Sequence, residues 1–203
     1  MEFEVRDGKG SGRRLSINPL NRAETESVTF DREDDAILRG VGYQISSGPI
    51  TYTGGSEPTP VGVLYFRNEE DVDVVLDRVV LMIGSNAEAA GDWTHTILRN
   101  PTVGSTITSA SPAGISNSNH GSNNVLNSGV NIFKASAETD TLDDGTGAPL
   151  PIQQQSNRIV FPVGRRIPKG SSFGIRITPP TLPNNATITS VSVAHVFLDT
   201  NQV

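Results

Sequence analysis

The chain has 203 residues, which suits a single domain, and it has no cysteine, which excludes disulfide scaffolds, thiolate metal sites and cysteine nucleophiles. Its formal net charge is −6, whereas a chain that mainly binds nucleic acid is usually basic. No stretch approaches the ~18 consecutive apolar residues that predict a membrane-spanning helix. We therefore expect neither nucleic acid nor a membrane as a partner.

Residues 1–22 predict an extended N-terminal arm. The segment contains spaced glycines, shows no sustained hydrophobic period and lacks the basic and then apolar pattern of a secretory leader. Two explanations stay open: a frayed terminus, or an arm that becomes ordered on a neighbouring subunit. The basic residues that make the arm slightly positive are Arg6, Lys9, Arg13, Arg14 and Arg22.

An acidic cluster at residues 31–35 follows, and we interpret it as a solvated face with a short helical turn. Beyond it the pattern favours strands. The run from Val72 to Ile83 is long, rich in valine and preceded by a turn candidate, which indicates a strand rather than a helix. Shorter strands bounded by glycine and proline are predicted at 41–46, 50–53 and 61–67.

Strands are also predicted in the second half of the chain. In the run 93–98, the side chains Trp93, His95 and Ile97 share one face. Two later runs place apolar residues at every second position, and residues 186–198 predict the last long strand. The apolar faces of the two runs are Ile159, Phe161 and Val163, and Phe173, Ile175 and Ile177.

The 34 residues between Arg99 and Lys134 include no charged side chain. The segment is rich in asparagine and serine and carries apolar residues at intervals, whereas disordered linkers are usually charged or rich in proline. We therefore expect ordered loops and short strands packed against the rest of the chain. The apolar residues are Val103, Ile107, Ile115, Val125 and Leu126.

These elements predict an all-β fold: an antiparallel β-sandwich of the jelly-roll type that forms one domain over residues 23–203. A sandwich has edge strands that need cover, and association in a symmetric oligomer is one way to supply it.

No segment carries a coherent catalytic pattern, so we expect a protein that is not an enzyme and uses no cofactor or metal. Gly170–Gly174 matches the G-x-S-x-G pattern of a nucleophile elbow, but a strand follows where the elbow needs a helix, and no acid lies between Ser172 and His195. The carboxylates of Asp140–Gly145 lack the remaining ligands of a calcium loop, and a turn explains them.

Arginine dominates the basic residues, with 13 arginines against 3 lysines. Its guanidinium makes planar bidentate contacts and loses water more readily than an ammonium, so arginine is enriched at protein interfaces. The tightest clusters are Arg13-Arg14 and Arg165-Arg166. We predict that Arg165, Arg166 and the basic residues of the arm bind a partner; solvent exposure beside acidic patches is the alternative.

Short segments along most of the chain resemble, in this order, a family of virion structural proteins from tailed bacteriophages. The segments are VRDGKGSG (5–12), ESVT (26–29), LYFRNEE (64–70), ILRNPTVG (97–104), GSNN (121–124), FKA (133–135), PKGSS (168–172) and IRITPP (175–180).

The resemblance implies a β-sandwich that acts as a trimeric head decoration, or cement, protein. Such a protein would bind the major capsid protein and itself on the outer surface of the capsid, which assembles in the host cytoplasm. We expect residues 1–22 to reach the shell while the sandwich forms the trimer.

Two other functions stay open. The neutral, asparagine-rich loops could bind sugars in a tail, baseplate or receptor-binding module, although residues 99–132 contain no aromatic platform. A hydrolase that uses Ser172 is the remaining alternative.

Overall fold

The computed structural model describes residues 16–17, 23–24, 32–55, 57–84, 92–103, 107, 111–147, 149–152 and 158–200. The chain divides into two units, Met1–Asp31 and Arg32–Val203. In the first unit, β1 (Ser16–Ile17) pairs antiparallel with β2 (Ala23–Glu24). The predicted boundary between an arm and a sandwich at residue 22 stays a prediction, and the basic residues of the arm lie outside the described residues.

The second unit is built almost entirely of strands. In chain order its elements are α1 (Arg32–Leu38), β3 (Gly42–Thr53), β4 (Val61–Arg67), β5 (Val74–Ile83), β6 (Trp93–Arg99), β7 (Thr102–Val103), β8 (Gly114–Asn117), a 3-10 turn (Asn127–Asn131), β9 (Ile132–Lys134), β10 (Leu142–Asp143), β11 (Pro149–Ile152), β12 (Arg158–Ile167), β13 (Ser172–Thr178) and β14 (Thr187–Leu198). Within the described ranges, no helix is long and apolar enough to cross a membrane.

Two five-stranded antiparallel sheets form the sandwich. One has the order β12-β5-β14-β3-β8 and the other β11-β6-β13-β4-β9. Without β8 and β9, each sheet keeps four strands. Successive strands of the chain then alternate between the sheets except from β6 to β11, which pair within the second sheet, as two interlocked Greek keys require. The predicted all-β jelly-roll sandwich is confirmed.

The core between the sheets follows from the period of two in each strand. On β6, Trp93 and His95 are fully buried, and on β13 the residues Phe173, Ile175 and Ile177 are buried, as the alternation predicted. Aromatic rings also pack against each other in this core. The ring of Phe66 stacks on that of Phe173 with a centroid distance of 5.0 Å. Each such side chain contributes about 1.5–3 kcal/mol when it leaves water.

The two short strands predicted at 41–46 and 50–53 are one continuous strand, β3. Gly48 has φ 68°, which only glycine adopts without strain, and the register with β14 shifts between Val191 and Val193, opposite this point. Pro49 is tolerated in the strand because β8 pairs with β3 only from Tyr43 to Ser46, which leaves the proline beside no second strand.

The described parts of the neutral segment form ordered loops and short strands, as predicted. It is part of an insertion between β6 and β11 that supplies β8 to one sheet and β9 to the other. Ile107 is buried against the outer face of the second sheet with Tyr65, Leu98 and Phe133. Val125, which we expected to pack, is 77% exposed.

Helix α1 packs on the outer face of the first sheet. Ala36 of the helix is buried against Val75 and Phe197. The acidic cluster was interpreted as a solvated face, which is wrong for Glu33. This residue is buried, and its carboxylate binds the guanidinium of Arg78 on β5. The interpretation missed Arg78 because it lies 45 positions away in the chain.

Candidate functional site

One end of the sandwich is organised by Asn68, which lies in the turn between β4 and β5. Its side-chain amide donates to the carbonyl oxygens of Val72 (3.0 Å) and Ile167 (2.7 Å), and its Oδ1 accepts from the backbone N–H of Glu70 (2.9 Å). Its own backbone N–H donates to the carbonyl of Ser171. One fully buried side chain therefore fixes the β4–β5 turn against the β12–β13 turn.

Beside this junction lies a cleft of about 490 Å³. Its inner wall is apolar and includes Leu76, Ile97, Ile167 and Phe173, of which only Ile97 is more than slightly exposed. Three arginines also line it. We name this site the arginine cleft and define it by Arg99, Arg165 and Arg166 together with that wall.

Strand geometry explains why the arginines meet. Arg99 ends β6 and continues the inward series of Trp93, His95 and Ile97. Arg165 follows a bulge in β12, where Gly164 has φ 59°, and it lies opposite Leu76 in the register with β5. Bulges commonly redirect side chains near functional sites. The residues come from strands of different sheets, so the cleft lies between the sheets at the end of the sandwich.

The three arginines differ in their partners. Arg166 forms ion pairs with Asp199, at 2.8 Å, and with Asp73, at 3.8 Å. Arg99 and Arg165 are exposed, and no carboxylate among the described residues lies within ion-pair distance of either guanidinium. Within the described part of the chain, two positive groups at the cleft therefore keep donors that no carboxylate occupies.

The structure brings together two of the predicted binding residues, Arg165 and Arg166, in this cleft. The other predicted binding residues, Arg6, Lys9, Arg13, Arg14 and Arg22, lie outside the described residues. Sequence reasoning missed Arg99. The signal was present, because the inward alternation from Trp93 reaches Arg99 two residues after Ile97.

The asparagine-rich loop uses its amides within the chain. Nδ2 of Asn117 and Nδ2 of Asn124 donate to the carbonyl oxygen of Gly40, at 2.9 and 3.1 Å, and Nδ2 of Asn119 donates to the carbonyl oxygen of Leu38 at 3.3 Å. Leu38 is the last residue of α1, where helix carbonyls need outside partners, and Gly40 lies two residues beyond it. The loop thus caps the helix, and these three amides are already engaged.

The candidate nucleophile is also engaged. Ser172 is buried at the start of β13, and its hydroxyl donates to the carbonyl oxygen of Pro101 at 2.8 Å. The chain continues from it as a strand, which agrees with the interpretation of Gly170–Gly174 as a turn that enters a strand.

The carboxylates of Asp140–Gly145 separate in the structure. Asp140 is buried and accepts from the backbone N–H groups of Ser136 (2.6 Å) and Ala137 (3.1 Å), whereas Asp144 accepts from the hydroxyl of Thr102. In the part of the chain that is described, no three metal-binding side chains converge.

His95 and His195 differ in the hydrogen-bond partners of their rings. His95 is fully buried, its ring is parallel to that of Phe161 at a centroid distance of 4.5 Å, and neither ring nitrogen has a hydrogen-bond partner among the described residues. Burial lowers the pKa of His95 to about 4. His195 lies under α1, where its Nδ1 accepts from Arg78 (3.3 Å), and burial and the charge of Arg78 both lower its pKa.

Comparisons with known proteins find no matching protein family and no matching curated protein. Solved structures give distant likenesses to viral particles. The chain of infectious bursal disease virus strain Gx shares 13% identity over 94% of this chain, with a TM-score of 0.34. This chain spans 38% of the length of that one.

Two further virus particles are similar at the same level. The chain from Israeli acute paralysis virus shares 12% identity over 97% of this chain and 87% of its own length, and the chain from the native Kashmir bee virus virion shares 11% over 89% and 82%. Both TM-scores are 0.34. Likenesses at this level carry no argument about function, and the jelly-roll assignment rests on the strand order described above.

Proposed function

We propose that this chain is a structural, non-enzymatic protein of a virion. More narrowly, it is a trimeric decoration, or cement, protein on the outer surface of a tailed-phage capsid, where it bridges major capsid subunits after assembly in the host cytoplasm. The sequence segments that resemble tailed-phage virion proteins and the jelly-roll fold support this proposal. Fold alone does not assign a function, so the surface must supply the further argument.

The observation that carries the proposal is the edge strand β12. It spans ten residues, and Arg158 to Arg166 are all exposed or only half-buried. Val160 is 43% exposed, and the inward residues Ile159, Phe161 and Val163 are only partly buried against the core. A long edge strand with apolar side chains and a neighbouring arginine cleft is suited to burial against another subunit.

The hydrogen bonds within the chain disfavour both a sugar-binding tail module and a hydrolase. A sugar-binding tail module would need free hydrogen-bonding groups on the neutral loop, and its amides at Asn117, Asn119 and Asn124 bind backbone carbonyls. A hydrolase would need the hydroxyl of Ser172, which donates to Pro101. Binding to a glycan array would favour the tail module over the cement protein.

The experiment measures oligomeric state and shell binding with the full chain and a chain that lacks residues 1–22. Light scattering after size exclusion is expected to give three times the chain mass of 21.6 kDa for both proteins. Shells assembled from the major capsid protein of the same virus should bind the full chain and gain heat stability by mass action, whereas the truncated chain should not bind.

Each part of the proposal has its own contradicting result. A monomer that does not bind shells would overturn the assignment as a cement protein. Full occupancy of shells by the truncated chain would overturn the role of the arm while leaving the assignment itself intact.

A further inference from the structure

We propose that the arginine cleft binds an acidic peptide segment, in which one or two carboxylate side chains are followed by an apolar one. The inference rests on the proposed function only for the source of the segment, which would be a shell subunit. The cleft itself is argued from its charges, its wall and its size.

The charges select an anion. Arg99 and Arg165 have no carboxylate partner among the described residues, although the chain as a whole has six more acidic than basic residues. Arg166, the next residue along β12, already pairs with Asp199 at 2.8 Å and so is not counted among the open groups. A guanidinium offers a planar pair of donors that matches a carboxylate, and such charge-assisted bonds are the stronger ones.

The apolar lining of the cleft favours a ligand that carries an apolar side chain next to its carboxylate. Leu76, Ile167 and Phe173 are buried at the back of the cleft, and Ile97 is half-exposed beside Arg99. Because the three buried residues already have apolar neighbours, the surface that a ligand can cover is mainly that of Ile97, and a ligand with only charged groups would leave it without a partner. A peptide with an aliphatic side chain next to the acidic one could cover Ile97 while its carboxylate binds Arg99 or Arg165.

The size and shape favour a peptide over a nucleic acid. A volume of about 490 Å³ holds a few side chains and not a duplex groove. The one ring in the wall, Phe173, is 1% exposed and therefore offers no face on which a base could stack. Two open guanidinium groups on an acidic chain are also few for a strand of phosphates.

The test measures binding of a fluorescein-labelled hexapeptide that alternates aspartate with leucine, by anisotropy, to the full-length protein. The probe for comparison alternates asparagine with leucine. The variants are R165Q, R165K, R99Q and the double variant R99Q/R165Q. The matched control is R32Q, which removes an exposed arginine of α1 outside the cleft. Thermal unfolding of each variant verifies that the fold is retained.

We expect the aspartate peptide to bind at least tenfold more tightly than the asparagine peptide. R165Q and R99Q should each weaken it about tenfold, R32Q should leave it unchanged, and R165K should recover part of the loss. Equal binding of the two peptides, or equal loss in R32Q, would overturn the inference. So would tighter binding of a labelled oligothymidine that responds to the same variants.

Two further results separate this inference from the proposed function. If peptide binding is absent and R165Q instead lowers the mass seen by light scattering, the cleft contacts a second copy of the chain, and the inference is wrong. If the double variant loses the peptide but the wild-type protein never binds shells, the inference holds and the proposed function fails.

Discussion

The two sides of the sandwich differ in how the chain covers them. On the side of β3 and β4, the insertion after β6 adds β8 to one sheet and β9 to the other, and Ile132 and Leu126 are buried there. On the side of β12, the inward residues Ile159, Phe161 and Val163 remain partly exposed. The chain thus completes its own core on one side, and on the other side it presents a surface that a neighbouring subunit can bury.

The hydrogen bonds of Asn68 hold the β4–β5 turn against the β12–β13 turn, on the side of β12. We expect a substitution there to lower the free energy of unfolding more than the other substitutions below. N68A removes two donors and one acceptor from buried backbone groups, each worth about 1–3 kcal/mol, so we expect a loss of about 4 kcal/mol in the free energy of unfolding. N123A, at an exposed asparagine, is the control and should change it by less than about 0.5 kcal/mol. Urea unfolding measures both; a small effect of N68A would mean that the two turns are held by other contacts.

We expect acid to lower the free energy of unfolding through His95, which stacks on Phe161 of β12. Burial lowers the folded-state pKa to about 4, below the unfolded value near 6.5, so the unfolded state binds more protons between them. The contribution of His95 to the free energy of unfolding is therefore fully present above pH ~6.5, where the ring is neutral in both states. It is lost as the pH falls towards 4, by about 3 kcal/mol in all.

The check is the unfolding free energy between those pH values for wild type, H95L and H120L. The variant H95L should lose this part of the pH dependence, and H120L, at an exposed histidine, should keep it. An unchanged slope in H95L would assign the acid sensitivity to other groups, such as His195 beneath α1.

A matched pair of isoleucines compares the two sides directly. Ile132 on β9 is fully buried and Ile159 on β12 is half-buried. We expect I132A to cost about 3–4 kcal/mol, because it leaves a cavity, and I159A about 1 kcal/mol, because water already reaches that site. Equal losses would show that the side of β12 is closed in the isolated chain. If shells bind the protein, I159A should also weaken that binding.

Local pattern was enough to predict the strands but not every feature of the fold. The alternations at Trp93–Ile97 and Phe173–Ile177 predicted both strands and their buried faces. They could do so because every second residue of a strand faces the same side of the sheet, so the buried side appears as an apolar residue at every second position. Gly48 and Pro49 were read as a break, since a bulge that absorbs them depends on the pairing with β14.

The site was partly predictable for the same reason. Arg165 and Arg166 stood out by their spacing in the sequence, and Arg99 could have been found from the alternation of β6. That these groups meet at one cleft depends on contacts between strands of different sheets, which no local pattern contains. The burial of Glu33 against Arg78 was hidden for the same reason.

The strand order also governs when the fold can form. The C-terminal strand β14 lies in the centre of its sheet, between β3 and β5, and β3 is the first strand of the sandwich. During synthesis, β3 and β5 therefore have no strand between them until the other strands of the sandwich have been made, and such long-range pairing is slow. A chain that ends before β14 lacks the strand that joins β3 to β5, so we expect it not to form this sheet.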